Sequence, residues 1–342
     1  MNQSKNRFIP SDNADHAISV VIPTFQRSSL LLRCLHSLEQ QRLSKYLFEV
    51  IVVSDGRDEA TEKAVKKFAR EYSDLCLRFY QLVLRSGPAT ARNYGWMKAR
   101  YQHIVFIDDD CIVLPSFLEM YHRDFSRNLS DIVYHGKLIV PTGYPATDYE
   151  RSVKEMEKAR FLTANCGMHV SVLQKIGGFD EDFRQAWRED TAFEFRVLAE
   201  NGRIHRTDAT VLHPVRKLSF GRILWLESKQ QYNYLLYTKF PDLARANRIN
   251  RIPRIYYLQV FVLTGILVSL PFSYNLALGF GFAFLLGWIY LSEMRIGKGP
   301  RTTVYMMDCY LTSLALPFVS LYWNFRGVIK YRHYANPGKQ TA

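Results

Sequence analysis

The chain is 342 residues long, with a formal net charge of +13, 14% aromatic residues and five cysteines. That length allows two globular domains or one large domain with an appendage, and the concentration of apolar residues in the last quarter favours an appendage in a membrane. The positive charge is richest over 203–254 and recurs at 295–301 and 326–332, around the apolar tail; with no zinc finger, aromatic RNA-binding motif or long basic helix face, it fits an anionic membrane surface and excludes a nucleic-acid partner.

Cys34, Cys76, Cys111, Cys166 and Cys309 show no CxxC spacing, which suits a reduced compartment. Residues 1–16, MNQSKNRFIPSDNADH, make a polar leader without the apolar core of a secretory signal, so the domain that follows is expected in the cytoplasm.

Residues 17–25 (AISVVIPTF) form a β-branched run ending near a proline, the pattern of a strand buried on both faces. SSLLLRCLHSLEQQ then sets Leu31, Leu35 and Leu38 at helical spacing behind a serine cap. FEVIVVSDG (48–56) is a second strand, ATEKAVKKFAREYS an amphipathic helix, and 77–84 a third strand. Gly87-Pro88 opens the helix GPATARNYGWMKAR, and HIVFIDDD is strand four. Strands and helices alternating at this spacing imply a parallel sheet covered by helices on both faces, with ligands at the carboxyl ends of the strands.

Beyond about residue 131, DIVYHGKLIV reads as a strand, TDYERSVKEMEKARFL as a helix and TANCGMHVSVL as a loop and strand. A turn over GGFDEDF leads into a helix from about Glu189 to Asn201, and RIHRTDATVLHP closes the region as a strand ending at His213-Pro214. The boundaries that follow are an α/β domain over 17–215, basic and aromatic interfacial helices over 216–255, and a membrane region over 256–342.

In the tail, 256–274 carries no charge over 19 residues, enough for a hydrocarbon core of about 30 Å. Residues 275–291 follow after a short turn as the second arm of a membrane hairpin. Arg251 and Arg254 before it, and Arg295, Lys298 and Arg301 after it, put both ends in the cytoplasm. The third apolar stretch, 304–325, contains Asp308 and Pro317 and precedes another basic segment; it reads as a re-entrant or interfacial helix broken at Pro317 rather than a full span.

Asp108, Asp109 and Asp110 end strand four. A single aspartate there commonly caps the next turn, but three in succession let Asp108 and Asp110 share one side and a hard divalent cation holding diphosphate oxygens. Glu189-Asp190 suits a helix N-terminus on dipole grounds alone, and also suits a general base fixed toward a cleft beside Trp187. His213 is either a structural strand-end histidine or a further metal ligand, and Asp55 either caps an Asp-Gly turn or accepts from a nucleobase N–H or ribose hydroxyl. Arg27 and Arg92 suit phosphate contact or surface ion pairs.

The ordered set SVVIPTFQR, VIVVSDG, GPATARN, FIDDD, GGFDEDF and WRED resembles the successive motifs of the family 2 inverting glycosyltransferases, over roughly 18–214. The resemblance implies the GT-A (Rossmann-like) fold of nucleotide-diphospho-sugar transferases, here with C-terminal transmembrane helices. It implies that Pro23, Thr24, Arg27 and Asp55 hold the nucleoside, with Arg92 near the nucleotide; that Asp108 lies near the ribose and Asp110 on Mn²⁺ or Mg²⁺, joined by His213; that Gly167 lies in the loop facing donor sugar and acceptor, with Trp187 and Glu189 nearby; and that Asp190 is the catalytic base. Gln26 stands where asparagine is common, and Gln230 and Gln231 are not followed by the Arg-Trp of processive synthases, which implies one sugar per binding event.

The expected function is inverting, metal-dependent transfer from a nucleotide-diphosphate sugar, UDP favoured, to a membrane lipid or lipid-linked acceptor at the cytoplasmic side of the inner (plasma) membrane. The alternatives are a soluble or glycan acceptor in polysaccharide synthesis, and a non-catalytic membrane scaffold. A sugar nucleotidyltransferase is disfavoured by the lack of a glycine-rich phosphate loop with its lysine.

Overall fold

The computed structural model of the protein describes residues 16–127, 131–247, 249 and 252–335; residues 1–15 of the leader and the flanking Arg251 lie outside them. The chain divides into two compact units. The first takes in the described residues up to Ile139, Glu157–Arg184 and Glu189–His213; the second takes in Val140–Met156, Gln185–Arg188 and the described residues from Pro214 onward. Two segments from within the expected 17–215 domain thus group with the C-terminal helices.

The first unit runs β1 (Ile18–Thr24), α1 (Ser28–Glu39), β2 (Phe48–Ser54), α2 (Glu59–Glu71), β3 (Leu77–Gln81), α3 (Pro88–Met97), β4 (His103–Ile107), β5 (Ile112–Val113), α4 (Phe117–Phe125) and β6 (Ile132–Ile139). After α5 (Asp148–Lys154), which belongs to the second unit, it resumes with β7 (Asn165–His169), α6 (Val170–Ile176), α7 (Glu189–Ala199) and β8 (Arg203–Leu212). Every residue of β1, β2 and β4 is buried, as unbroken apolar runs in central strands require.

The strand order is β3-β2-β1-β4-β7-β6-β8-β5. The expected parallel sheet is present only in its first half, where β3, β2, β1 and β4 run together. β7 then pairs antiparallel with both β4 and β6, β8 runs parallel to β6, and β5 antiparallel to β8. Strand direction depends on which partner a strand meets, and the local sequence NCGMH carries no sign of it. Residues 170–173, expected at the end of a loop and strand, instead open the helix α6 behind the side-chain cap of His169, and α1 begins at Ser28 with Arg27, not serine, as its uncapped N-cap residue.

Register brings the functional ends together. Thr24 lies opposite Ser54 in the β1–β2 pair, and Val21 opposite Phe106 in the β1–β4 pair, so the chain leaves β1, β2 and β4 along one sheet edge. Val21, Ile51, Val53, Ile104 and Phe106 form the core beneath that edge. Phe193 of α7 stacks on Phe179 at 4.6 Å and on Phe161 at 5.4 Å, which anchors α7 to this core.

The second unit adds α8 (Arg222–Leu226), α9 (Gln231–Lys239), α10 (Pro241–Ala246), α11 (Arg254–Ser269), α12 (Tyr274–Ile296) and α13 (Thr303–Tyr331). α12 and α13 are long and apolar enough to cross a membrane, whereas α11, with 16 residues, reaches about 24 Å. Only 17% of the most apolar window of α12 and 33% of that of α13 is buried. The break expected at Pro317 does not occur: α13 is continuous through it, and a proline is tolerated where neighbouring helices support the backbone. Within this unit Arg295 is buried and satisfied: its Nε donates to Asp148 Oδ2 at 2.9 Å, and its Nη1 to Thr312 Oγ1, Ser313 Oγ and the Cys309 carbonyl.

Candidate active site

The carboxyl end of β4 turns three carboxylates in three directions. Asp108 Oδ1 accepts from Arg92 Nη2 at 2.7 Å. Asp109, 2% exposed, accepts from Thr24 Oγ1 at 2.7 Å and from Arg27 Nη1 at 3.1 Å. Asp110 Oδ1 lies 3.5 Å from His213 Nε2, and its Oδ2 lies 3.9 Å from Arg27. Burial pushes the Asp109 carboxyl up to about 6; Arg27 opposes that shift and Asp110 adds to it.

Asp109 is the residue that sequence reasoning left without a role. It fastens the end of β4 to Thr24 and Arg27, so those two side chains, read as nucleoside contacts, are engaged with the middle aspartate in this structure. The triplet lies in the turn after β4, where strand alternation no longer sorts side chains, and the partners of Asp109 are more than 80 residues away in sequence, so no local pattern marked it.

A carboxylate oxygen of Asp110, the Cys111 sulfur and a ring nitrogen of His213 all lie within 4.8 Å of one another, and His213 Nδ1 is buried without a hydrogen-bond partner among the described residues. Oxygen and imidazole donors of this kind fit Mn²⁺ or a similar divalent ion. Cys111 fits less well, because burial pushes its thiol far above the ordinary range and its sulfur contacts the Ala164 carbonyl. Asp108, expected in the same ligand set, stands apart from that trio in its ion pair with Arg92.

Asp55, at the end of β2, accepts from the backbone N–H groups of Ser86 and Gly87 through Oδ1 at 2.7 and 2.8 Å. Gly87 has φ 105°, and a side chain there would meet the Arg184 backbone at 2.7 Å, so only glycine starts α3 in this way. Beside it the Arg85 guanidinium lies 4.8 Å from the centre of the Phe25 ring. Neither residue was singled out by the sequence, where each is an unremarkable loop position next to a motif.

Arg92 is only 2% exposed. The expectation that it sits just beyond a strand end, ready for phosphate, is therefore corrected: it lies inside, between Asp108 and Glu189, with Nη1 3.5 Å from Glu189 Oε1. Glu189 and Asp190 occupy the first turn of α7, as expected. Asp190 Oδ1 accepts from the Thr191 N–H at 2.7 Å. Burial, with Asp190 adding, pushes Glu189 up to about 7, and a guanidinium 3.5 Å away without a hydrogen bond does not offset it.

Two placements differ from expectation. Gly167 is not in a loop but inside β7, opposite Val105 and Tyr134, where a side chain would strike the Tyr121 and Phe125 rings at 2.6–3.0 Å. Its role is close packing of α4 on the sheet. Trp187 belongs to the second unit, where its Nε1 and the Nε of Arg188 both donate to Asn233 Oδ1, at 3.1 and 2.7 Å. Pro23 is buried within β1, opposite Val53.

Comparison with known proteins follows this geometry. Residues 19–175 match the model of Glycosyl transferase family 2. The chain is 26% identical over 221 residues to a validoxylamine A glucosyltransferase of Streptomyces hygroscopicus subsp. jinggangensis, covering 53% of this chain and 51% of the relative. It is 29% identical over 121 residues to a poly(ribitol-phosphate) beta-glucosyltransferase of Bacillus spizizenii, covering 35% and 19%. The chain spans about half the length of the first curated relatives it matches. Among solved structures, the mannosyltransferase PcManGT of Pyrobaculum calidifontis, in complex with GDP-Man and Mn²⁺, shares the fold with a TM-score of 0.54 at 16% identity, over 90% of this chain and 86% of that one. The mixed sheet, its motif-bearing edge and these matches agree: residues 19–175, just under half of the chain, match the family 2 glycosyl transferases, and the fold is GT-A.

Proposed function

We propose that the protein transfers one sugar at a time, with inversion, from a nucleotide-diphosphate sugar to a hydroxyl or phosphate of a membrane lipid or lipid-linked acceptor at the cytoplasmic face of the inner membrane. The observation that carries the chemistry is the single edge where Asp55, the β4 aspartates, His213 and the Glu189-Asp190 pair all end.

Asp55 has its Oδ1 fixed by two backbone N–H groups, which aims the carboxylate at a nucleobase N–H. Asp108 takes the ribose hydroxyls. Asp110 and His213 hold the divalent cation, which when bound supplies positive charge to a departing diphosphate. The neighbour's complex with GDP-Man and Mn²⁺ supports both a nucleotide-sugar donor and such a cation. Asp190 takes the proton of the acceptor hydroxyl, the acceptor oxygen bonds to the anomeric carbon from the far side, and the bond to the diphosphate oxygen breaks with its electron pair on the nucleotide. One displacement inverts the anomeric carbon.

The acceptor is read from the second unit. Phe261, Leu267, Phe272, Phe282 and Tyr290 are exposed on α11, α12 and the turn between them, and Arg254 and Arg295 bracket that hairpin on the basic side. Continuity through Pro317 makes α13 unsuited to a re-entrant path; with Arg301 before it and Arg326 and Lys330 in its last turns, α13 is read as an interfacial helix lying along the basic surface. Phe220 and Trp225, exposed near Arg222, add an interfacial aromatic edge. The relatives' names carry different acceptors and leave this choice to the tail.

The test is nucleoside diphosphate release by membranes carrying the full chain, with UDP- and GDP-sugars, with Mn²⁺ or Mg²⁺ or EDTA, and with or without a lipid extract. Release that requires both metal and lipid supports the proposal. Release that needs metal but is supported equally by soluble glycans overturns the lipid acceptor.

A further inference from the structure

Arg92 is a buried cation with more anions than it can serve and fewer hydrogen bonds than it can make. It stands on α3, Asp108 follows β4 and Glu189 begins α7, so one side chain joins three elements of the first unit. Its Nη2 is committed to Asp108 at 2.7 Å. Its Nη1 lies 3.5 Å from Glu189 Oε1 without a hydrogen bond, and Nε and Nη1 both lack a partner among the described residues although each is buried. A buried donor left bare is destabilising, so this arrangement has a partner still to be taken up. The ring of Phe179, 5.6 Å from Cζ, closes one face of the guanidinium.

The charge count points the same way. Arg92 is the cation beside Asp108 and Glu189, and Asp190 pushes on Glu189 from the next position. Any ligand that draws Asp108 away leaves the guanidinium to Glu189. Closing 3.5 Å to about 2.8 Å would turn that contact into a charge-assisted hydrogen bond.

We infer that Arg92 is a positioning residue that couples the two halves of the site: when Asp108 turns to a nucleotide, the guanidinium passes to Glu189 and fixes the first turn of α7, which carries Asp190. This rests on the nucleotide-sugar reading above. It makes the empty site loose at the base and the donor-bound site tight there, so the acceptor is deprotonated only after the donor is in place.

The experiment is calorimetric titration of the full chain in detergent with UDP in the presence of Mn²⁺, a probe that carries no sugar for Glu189 to touch. Glu189→Gln is expected to weaken UDP binding about tenfold, because Arg92 loses the acceptor that compensates for releasing Asp108. Arg92→Lys is expected to weaken it similarly, and the double variant to bind no worse than the weaker single one. Glu189→Gln binding within twofold of wild type, or a double variant whose loss is the product of the two, overturns the inference. A second measurement needs no variant: hydrogen exchange at 189–193 is expected to slow when UDP and Mn²⁺ are added to wild type, and unchanged exchange overturns the coupling. If wild type binds neither UDP nor GDP with Mn²⁺, the nucleotide-sugar reading fails and the inference with it, an outcome distinct from binding without coupling.

Discussion

Each unit of the molecule buries an arginine, and the two are held in opposite ways. In the helical unit Arg295 is saturated: Asp148 takes Nε and Nη2, while two hydroxyls and a carbonyl take Nη1. In the sheet unit Arg92 has, among the described residues, one hydrogen bond, one long ion pair and two nitrogens without a hydrogen-bond partner. A saturated buried charge is fastened in one arrangement and serves as scaffold. An undersatisfied one has a second arrangement within reach, and it lies among the carboxylates that carry the chemistry.

The largest effect that would sharpen this contrast is at Asp190. Asp190→Asn is expected to lower sugar transfer about 10³-fold, the size of a lost general base, while the variant still binds UDP with Mn²⁺. Loss of both together would mean that Asp190 shapes the donor site instead of acting on the acceptor.

Next comes the scaffold arginine. Arg295→Met leaves the half-buried Asp148 without its guanidinium and is expected to cost up to about 3 kcal/mol, read as a fall in thermal unfolding temperature in detergent. Arg295→Met with Asp148→Leu is expected to recover most of it. A double variant as unstable as the single one would show that Arg295 does more than neutralise Asp148.

A smaller effect is expected at the cation ligands. Asp110→Asn removes charge from the oxygen that faces His213 and is expected to weaken Mn²⁺ binding roughly 10- to 100-fold, measured by electron paramagnetic resonance of free Mn²⁺. Asp109→Asn is expected to act mainly on stability, since that carboxylate is occupied by Thr24 and Arg27.

The smallest effect concerns pH, in the sheet unit away from the site. Burial, helped by His169, His16 and His122, pushes His103 down to about 4. As pH falls below about 6.5 the unfolded chain takes the proton before the folded one, so His103 contributes stability that is fully present above 6.5 and is lost between 6.5 and 4. Glu189 acts in the opposite sense, its raised value removing stability as pH climbs from the ordinary carboxylate range toward 7. The difference between wild type and His103→Phe isolates the histidine: unfolding temperatures are expected to converge as pH drops from 6.5 to 4. A gap independent of pH would assign His103 a packing role only.

Much of the first half of the fold was legible because it is locally determined. Continuous β-branched runs gave β1, β2 and β4, and Gly87-Pro88 gave the start of α3, since burial on both faces and a positive φ leave marks in the residue types themselves. The antiparallel insertion of β7 was not legible, because pairing partners are chosen by the whole sheet. The same holds for the site. That Asp108, Asp110, Glu189, Asp190 and His213 share one unit with the strand ends could be read from motif order. That Arg92 is buried between Asp108 and Glu189, that Asp109 ties down Thr24 and Arg27, and that Gly167 serves packing depended on tertiary neighbours far apart in sequence.

The account stands most directly on a single displacement at the anomeric carbon with Asp190 as base. Proton NMR of the first-formed product, using whichever sugar nucleotide supports release, reads that step: the account predicts an anomeric configuration opposite to that of the donor, and a product that keeps the donor's configuration would contradict it.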